Sequence, residues 1–171
     1  MDFNEFEINS KFSRAVLAQK ILATENFDEV YHFIKVNDNK IGNRVAWTLV
    51  KVCEHNNEWL PMYFDDILTW LPSFKSQGIQ RSILKIVAEN DVLPPNKESK
   101  WIDLCYHFLN GIDIDVTVKV FSMELLYKFC LKYPDLINEF KLVLDEGCKI
   151  YSKAYTARAK KIYKKLGVQG N

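Results

Sequence analysis

The stretch Asp115-Val-Thr-Val-Lys-Val-Phe-Ser-Met-Glu-Leu-Leu126 sets the fold class of this chain. Its apolar residues follow the three-and-four spacing of one face of an α-helix: Val116, Val120, Met123 and Leu126. A break at Tyr133-Pro134-Asp135 follows, and proline is tolerated near a helix start. A second helical pattern then begins, so the stretch is the first helix of a pair of helices joined by a short turn.

This unit recurs along the chain. Glycines stand at Gly42, Gly78, Gly111 and Gly147, separated by 36, 33 and 36 residues. Each glycine lies between two helical patterns, where a helix end often needs a left-handed residue. A period of this length, built of paired helices that cannot bury their apolar faces alone, predicts a solenoid in which neighbouring units stack.

The other helical patterns fill the rest of the chain. Three full units are predicted, with helices over residues 44–53 and 59–71, 79–87 and 101–109, and 116–130 and 134–144. A shorter unit over residues 11–37 precedes them, and its first helix is predicted to bury Phe12, Ala15, Val16, Gln19 and Leu22. A closing helix spans residues 152–166. We therefore predict an all-α, right-handed α-α superhelix of about four helix pairs plus a closing helix, as one domain over residues 1–171.

The units resemble HEAT repeats, a family of armadillo-like helical repeats. Basic residues recur near the start of each first helix, and aspartates stand six residues before two of them: Arg44, Arg81, Lys119, Asp38 and Asp113. Lys75 takes the place of the middle aspartate. The resemblance implies a ladder of ion pairs between adjacent repeats. Tetratricopeptide repeats have a similar length, but their Trp, Gly, Tyr, Ala and Pro pattern is not met in register.

One segment resembles the DNA alkylation repair branch of HEAT-like proteins. It contains Trp101 and Asp103. The resemblance implies that an aromatic ring and a carboxylate act together on a cationic base lesion. The carboxylate is expected one helical turn after the tryptophan, where this chain has Cys105. The alternative is that Trp101 belongs to the core and Asp103 is a solvated carboxylate near a helix start.

Basic residues gather on the closing helix. The candidates for nucleic-acid contact are Lys153, Arg158, Lys160, Lys161, Lys164 and Lys165. Lysine and arginine on one element attract a polyanion even when the whole protein is nearly neutral. The alternative is a polar cap that keeps the end of the solenoid hydrated.

The remaining composition excludes several classes of protein. The 23 basic and 22 acidic residues give a net charge of +1, which leaves no uniform field for a polyanion or an anionic membrane. The four cysteines form no Cys-x-x-Cys motif and are predicted to be buried thiols. No metal site, cofactor or catalytic residue is predicted, because the sequence contains no phosphate-binding loop, metal-ligand motif or nucleophile elbow.

These observations favour a non-enzymatic scaffold that binds a protein or peptide through its concave face. Four tryptophans are more than a small core buries completely, so the candidate contact residues are Trp59, Trp70 and Trp101, with Asp103. The alternative function is binding of nucleic acid or excision of a base. The first residues lack the pattern of a secretion signal, so we expect a cytoplasmic protein without a membrane partner. The sequence predicts no oligomeric state.

Overall fold

The computed structural model describes Phe3 and residues 11–170. Nine α-helices form within this range, and none of the described residues lies in a β-strand. The helices are α1 Lys11–Thr24, α2 Phe27–Val36, α3 Lys40–Cys53, α4 Phe64–Trp70, α5 Gln77–Glu89, α6 Glu98–Asn110, α7 Val116–Lys132, α8 Leu136–Ile150 and α9 Lys153–Leu166. Short 3-10 turns at Leu60–Tyr63 and Leu71–Ser73 flank α4. The predicted all-α solenoid of helix pairs is confirmed.

The helices repeat with a regular period. The first helices of successive pairs, α3, α5, α7 and α9, begin 37, 39 and 37 residues apart. The second helices α2, α4, α6 and α8 lie between them in the chain. Two prolines, Pro61 and Pro72, each stand near the start of a 3-10 turn beside α4, where the missing N–H costs no helical hydrogen bond.

The helices form two compact units, residues 1–90 and 91–171. In the first unit, α3 packs against α1, α2 and α5. In the second unit, α7 packs against α6, α8 and α9. Each unit has a core of fully buried apolar side chains, of which Leu49 and Ile83 are examples in the first and Leu126 and Phe129 in the second. The prediction of a single domain stays a prediction.

The four periodic glycines do not occupy equivalent positions. Gly42 and Gly78 lie in the first turns of α3 and α5, Gly111 ends α6 with a φ of −64°, and Gly147 lies inside α8. The only glycine with positive φ in the described part of the chain is Gly167, after α9. The expectation of left-handed helix ends was therefore wrong, although the repeat it led to is present in the helices.

Asp38 and Lys119 bind the backbone at the repeat junctions. The Asp38 carboxylate accepts hydrogen bonds from the backbone N–H groups of Lys75 and Ser76, at 2.7 and 2.9 Å, just before α5. The buried ammonium of Lys119 donates to three carbonyl oxygens at the end of α6, with distances of 2.6 to 3.0 Å. Both charged groups thus complete the open ends of helices in the neighbouring pair.

The buried face of α1 differs from the predicted one. Leu17, Ala18 and Ile21 are its buried residues, whereas Ala15 and Val16 are exposed. Phe12 was also predicted to be buried, but its side chain lies outside the part of the chain that the structure describes. Helix α1 carries apolar residues around most of its circumference, so the sequence pattern did not single out the face that packs against α3.

Candidate functional site

Two of the predicted contact residues, Trp70 and Trp101, are core residues. Trp101 has none of its surface exposed, and Trp70 has 7%. The indole N–H of Trp70 donates to the Tyr31 hydroxyl at 3.0 Å. Asp103 is exposed on α6, two residues from the buried ring of Trp101. The tryptophan and the carboxylate therefore do not face a common space.

Trp59 is half-buried beside α2 and α4. Its ring stacks on Phe27, with the ring centroids 5.2 Å apart and the planes within 2° of each other. Its indole N–H donates to the backbone carbonyl of Asn56 at 3.1 Å. Both its polar group and one of its faces are thus used within the fold, so its free surface is small.

A network of aromatic and charged groups joins α2 to α4. The Tyr31 hydroxyl donates to Asp66 at 2.6 Å, and the Lys35 ammonium donates to both oxygens of the same carboxylate at 2.8 Å. Burial opposes ionisation of Asp66, but the hydrogen bonds from Lys35 and Tyr31 prevail and lower its pKa. The Tyr63 hydroxyl donates to Asp28 in the same way. This network joins the second helices of two successive pairs, so its polar groups are used within the fold.

Trp47 is the tryptophan that faces outward. It lies on α3 with 44% of its surface exposed. Beside it a cavity of about 290 Å³ runs between α1 and α3, and we call it the α1–α3 groove. Its lining residues are Arg14, Ala15, Ala18, Gln19, Leu22, Trp47, Lys51 and His55. Ala15, which the sequence predicted to be buried, is therefore exposed and lines this groove.

Basic side chains surround the Trp47 ring. The guanidinium carbon of Arg14 lies 3.9 Å from the ring centroid, and that of Arg81, on α5, lies 5.7 Å from it. Both distances fall within the range of cation–π contacts. Lys51, at the groove edge, donates to Glu54 at 2.7 Å, and this hydrogen bond lowers the pKa of Glu54. The groove thus has an apolar floor and a cationic rim.

The basic residues of α9 divide into paired and solvated groups. Arg158 and Lys165 both bind Glu124 of α7, at 2.6 and 3.1 Å. Three other lysines are exposed on the same helix: Lys164 and, four and three residues before it, Lys160 and Lys161. Lys153 is exposed at the start of the helix. Two of the six predicted residues therefore hold α9 to α7, and four form an exposed basic strip, which we call the α9 strip.

The cysteines have the environment of packed thiols. Cys53, Cys105 and Cys130 are buried and Cys148 is half-buried, all as free thiols. Burial raises the pKa of Cys53 to about 12 and that of Cys130 to about 11. Among the described residues, histidine, cysteine and acidic side chains form no cluster of three or more that could hold a metal ion. The prediction of buried thiols is confirmed for three of the four.

The groove was not among the predicted sites, although the sequence contained a signal for it. Four tryptophans indicated that one or two face outward, but Trp59, Trp70 and Trp101 were predicted as contact residues and Trp47 was not. Trp47 interrupts the polar face of α3, opposite the buried Val45 and Leu49. An apolar ring on a polar helix face is the feature that identifies it.

Comparison with known proteins places the chain within one family. Residues 7–166 match the family model described as a HEAT repeat domain. No curated protein and no solved structure matches the chain. Over the described residues, every helix is too short or too polar to cross a lipid bilayer.

Proposed function

Since this chain belongs to the HEAT repeat domain family, we propose that it is a non-enzymatic scaffold that binds a protein or peptide partner. A solenoid of helix pairs offers a long surface that its own core does not use. Burial keeps the thiols of Cys53 and Cys130 protonated at neutral pH, which supports a role other than nucleophilic catalysis. We keep the expected cytoplasmic location as part of this proposal.

The observation that carries the proposal is the exposed Trp47 beside the α1–α3 groove. Tryptophan and arginine are the residue types that contribute most to protein interfaces, and here they lie together. The sequence favoured the concave face of the solenoid as the contact surface. We propose the groove between the first helices α1 and α3 in its place, because the exposed ring and the cavity coincide there.

A site-specific cross-linker tests this function. A photoreactive amino acid at the groove residue Gln19 is expected to capture a protein in cells of the source organism, and one at Asn138 on α8 is the control. The purified captured protein is then titrated against the chain and its Trp47→Ala variant. We expect the variant to bind about tenfold or more weakly, as for an interface hot spot. Absence of any protein captured from Gln19 would contradict the proposal.

The exposed α9 strip favours a second candidate function, the binding of nucleic acid. Lys160, Lys161 and Lys164 place three like charges within about one helical turn without a carboxylate on the same helix. Such clusters bind phosphates through release of counterions. Excision of a base has no support from the geometry, since Trp101 is buried and Asp103 lies on another side of α6.

Titration with duplex and single-stranded DNA at low salt tests the second candidate. Replacement of Lys160, Lys161 and Lys164 by glutamine is expected to abolish binding that weakens steeply with salt. A triple glutamine variant of Lys20, Lys40 and Lys51 on α1 and α3 removes the same charge elsewhere and serves as the control. Equal binding by both variants would exclude the α9 strip as a nucleic-acid site.

A further inference from the structure

The α1–α3 groove combines an uncharged floor with basic side chains at its rim. Ala15, Ala18 and Leu22 supply the floor, all from α1. Arg14 on α1 and Arg81 on α5 both approach the Trp47 ring, which lies on α3. Within the part of the chain that the structure describes, neither arginine lies within ion-pair distance of a carboxylate.

Two guanidinium groups near one indole ring repel each other, and the ring offsets only part of this cost. A cation–π contact at an exposed site stabilises less than a charge-assisted hydrogen bond to a carboxylate does. Arginine also binds carboxylates through two parallel N–H groups. The arrangement of Arg14 and Arg81 is therefore complementary to an anionic group placed at the groove edge.

The volume of the groove limits the size of the apolar group that it can bind. Its volume of about 290 Å³ is at the lower end of the range for pockets that enclose whole small molecules. It suits a single large apolar side chain of a longer segment, which would pack against Trp47 and Leu22. The remainder of such a segment would extend across the rim.

We propose that the α1–α3 groove binds an acidic peptide segment of a partner protein, with one large apolar side chain in the groove and flanking Asp or Glu carboxylates on Arg14 and Arg81. This inference rests on the proposed scaffold function and names the chemistry of its partner. The aliphatic floor favours a peptide over a nucleic-acid strand, since strands bind on successive aromatic rings. Among the groove-lining residues that the structure describes, Trp47 supplies one large aromatic ring and His55 adds a single imidazole, too few for a row of stacked bases.

Selection of short random peptides displayed on phage, with the full chain as bait, tests the inference. We expect enriched sequences that carry Leu, Ile, Phe or Trp beside two or more acidic residues. The best peptide, labelled with fluorescein, is then titrated by anisotropy. Trp47→Ala and Arg14→Glu are each expected to weaken binding about tenfold or more, and so is replacement of the peptide's acids by their amides.

The controls separate this inference from the general function. Lys100→Glu makes the same charge reversal on α6, in the other compact unit, and is expected to change the affinity less than about twofold. Circular dichroism and thermal unfolding confirm that each variant is folded. Enriched peptides without acidic residues, no enrichment at all, or equal affinity for the Trp47→Ala variant would overturn the inference. If a captured partner protein binds Trp47→Ala and Arg14→Glu as tightly as the native chain, the scaffold function stands and this inference fails.

Discussion

Lys119 shows how one charged side chain is stabilised inside a helical repeat. It has no exposed surface, yet its ammonium donates to the carbonyls of Phe108, Leu109 and Gly111. Its Nζ atom also lies 4.3 Å from the centre of the Tyr151 ring. The last carbonyls of a helix have no partner within the helix, so a buried cation there satisfies acceptors that water cannot reach.

Replacement of Lys119 by Met is expected to destabilise the protein by about 2 to 4 kcal/mol. The methionine fills a similar volume but leaves the carbonyls at the end of α6 without a donor. Urea denaturation measures the change. Lys161→Met, on an exposed position, serves as the control and should alter stability by less than about 0.5 kcal/mol. A loss equal to that of the control would show that the three hydrogen bonds contribute nothing.

The contribution of Lys119 to stability also depends on pH, and its sign follows from the pKa. Burial lowers the pKa of Lys119 from 10.5 to about 8. Between these values the unfolded chain holds a proton that the folded chain has lost, so a rise in pH opposes unfolding. The stability of the native chain relative to Lys119→Met is therefore expected to increase from pH 8 to pH 10.5. Urea denaturation of both proteins across this range measures the difference in their free energies of unfolding. A difference that decreases with pH would contradict the lowered pKa.

At the scale of the helices, the sequence predicted the fold well and the site poorly. The three-and-four spacing located α3, α5, α6 and α7 within a few residues, because apolar burial dominates helix packing. The same rule failed on α1, whose apolar residues surround the helix. The exposed ring of Trp47 had a signal in the sequence, but the cavity beside it had none, because the cavity depends on how far α1 and α3 lie apart around Trp47. That distance is set by packing rather than by spacing along one helix.

The contact between α3 and α5 depends on a glycine. A Cβ atom on Gly78 would collide with the side-chain amide of Asn43. We expect Gly78→Ala to destabilise the protein by about 1 to 3 kcal/mol, although alanine is otherwise the better helix former. In an Asn43→Ala background the collision is absent, and the same substitution should be neutral or stabilising by up to about 1 kcal/mol. A double-mutant cycle in urea measures this coupling, and additive effects would contradict the close approach.

The start of α5 depends on Asp38 from the preceding repeat. Its carboxylate binds two backbone N–H groups, of Lys75 and Ser76. We expect Asp38→Ala to cost about 1 kcal/mol and to speed amide exchange at Lys75 and Ser76, because these donors lose their acceptor. Asp38→Asn keeps an oxygen acceptor and should retain most of the protection. Hydrogen exchange followed by mass spectrometry gives the comparison, and equal exchange in all three proteins would count against the cap.

At the scale of the whole molecule, the contacts between helices join residues that are close in the sequence. Hydrogen bonds join residues about one repeat apart, as between Lys132 and Glu98 or Arg158 and Glu124. Stability in such a protein is close to a sum over repeats and their interfaces. A property that many repeats share therefore acts on both compact units at once.

Buried phenols and thiols are such a property, and they predict alkaline unfolding of both units. Burial raises the pKa of Tyr63 from 10.0 to about 12 and that of Cys53 from 9.0 to about 12 in the first unit. In the second unit it raises the pKa of Cys130 to about 11 and also that of Tyr163. A group with a raised pKa contributes its full stability below its ordinary pKa and loses it as the pH rises towards the folded value.

Stability is therefore expected to be nearly constant from pH 6 to 8 and to fall above about pH 9, by roughly 1.4 kcal/mol per pH unit for each such group that ionises only on unfolding. Lys119 opposes this loss, but it is one group against several. Urea denaturation at successive pH values measures the slope, and ultraviolet absorbance follows phenolate formation. Stability that stays constant up to about pH 11 would show that no such group ionises on unfolding, and the physical basis of the expected slope would then be wrong.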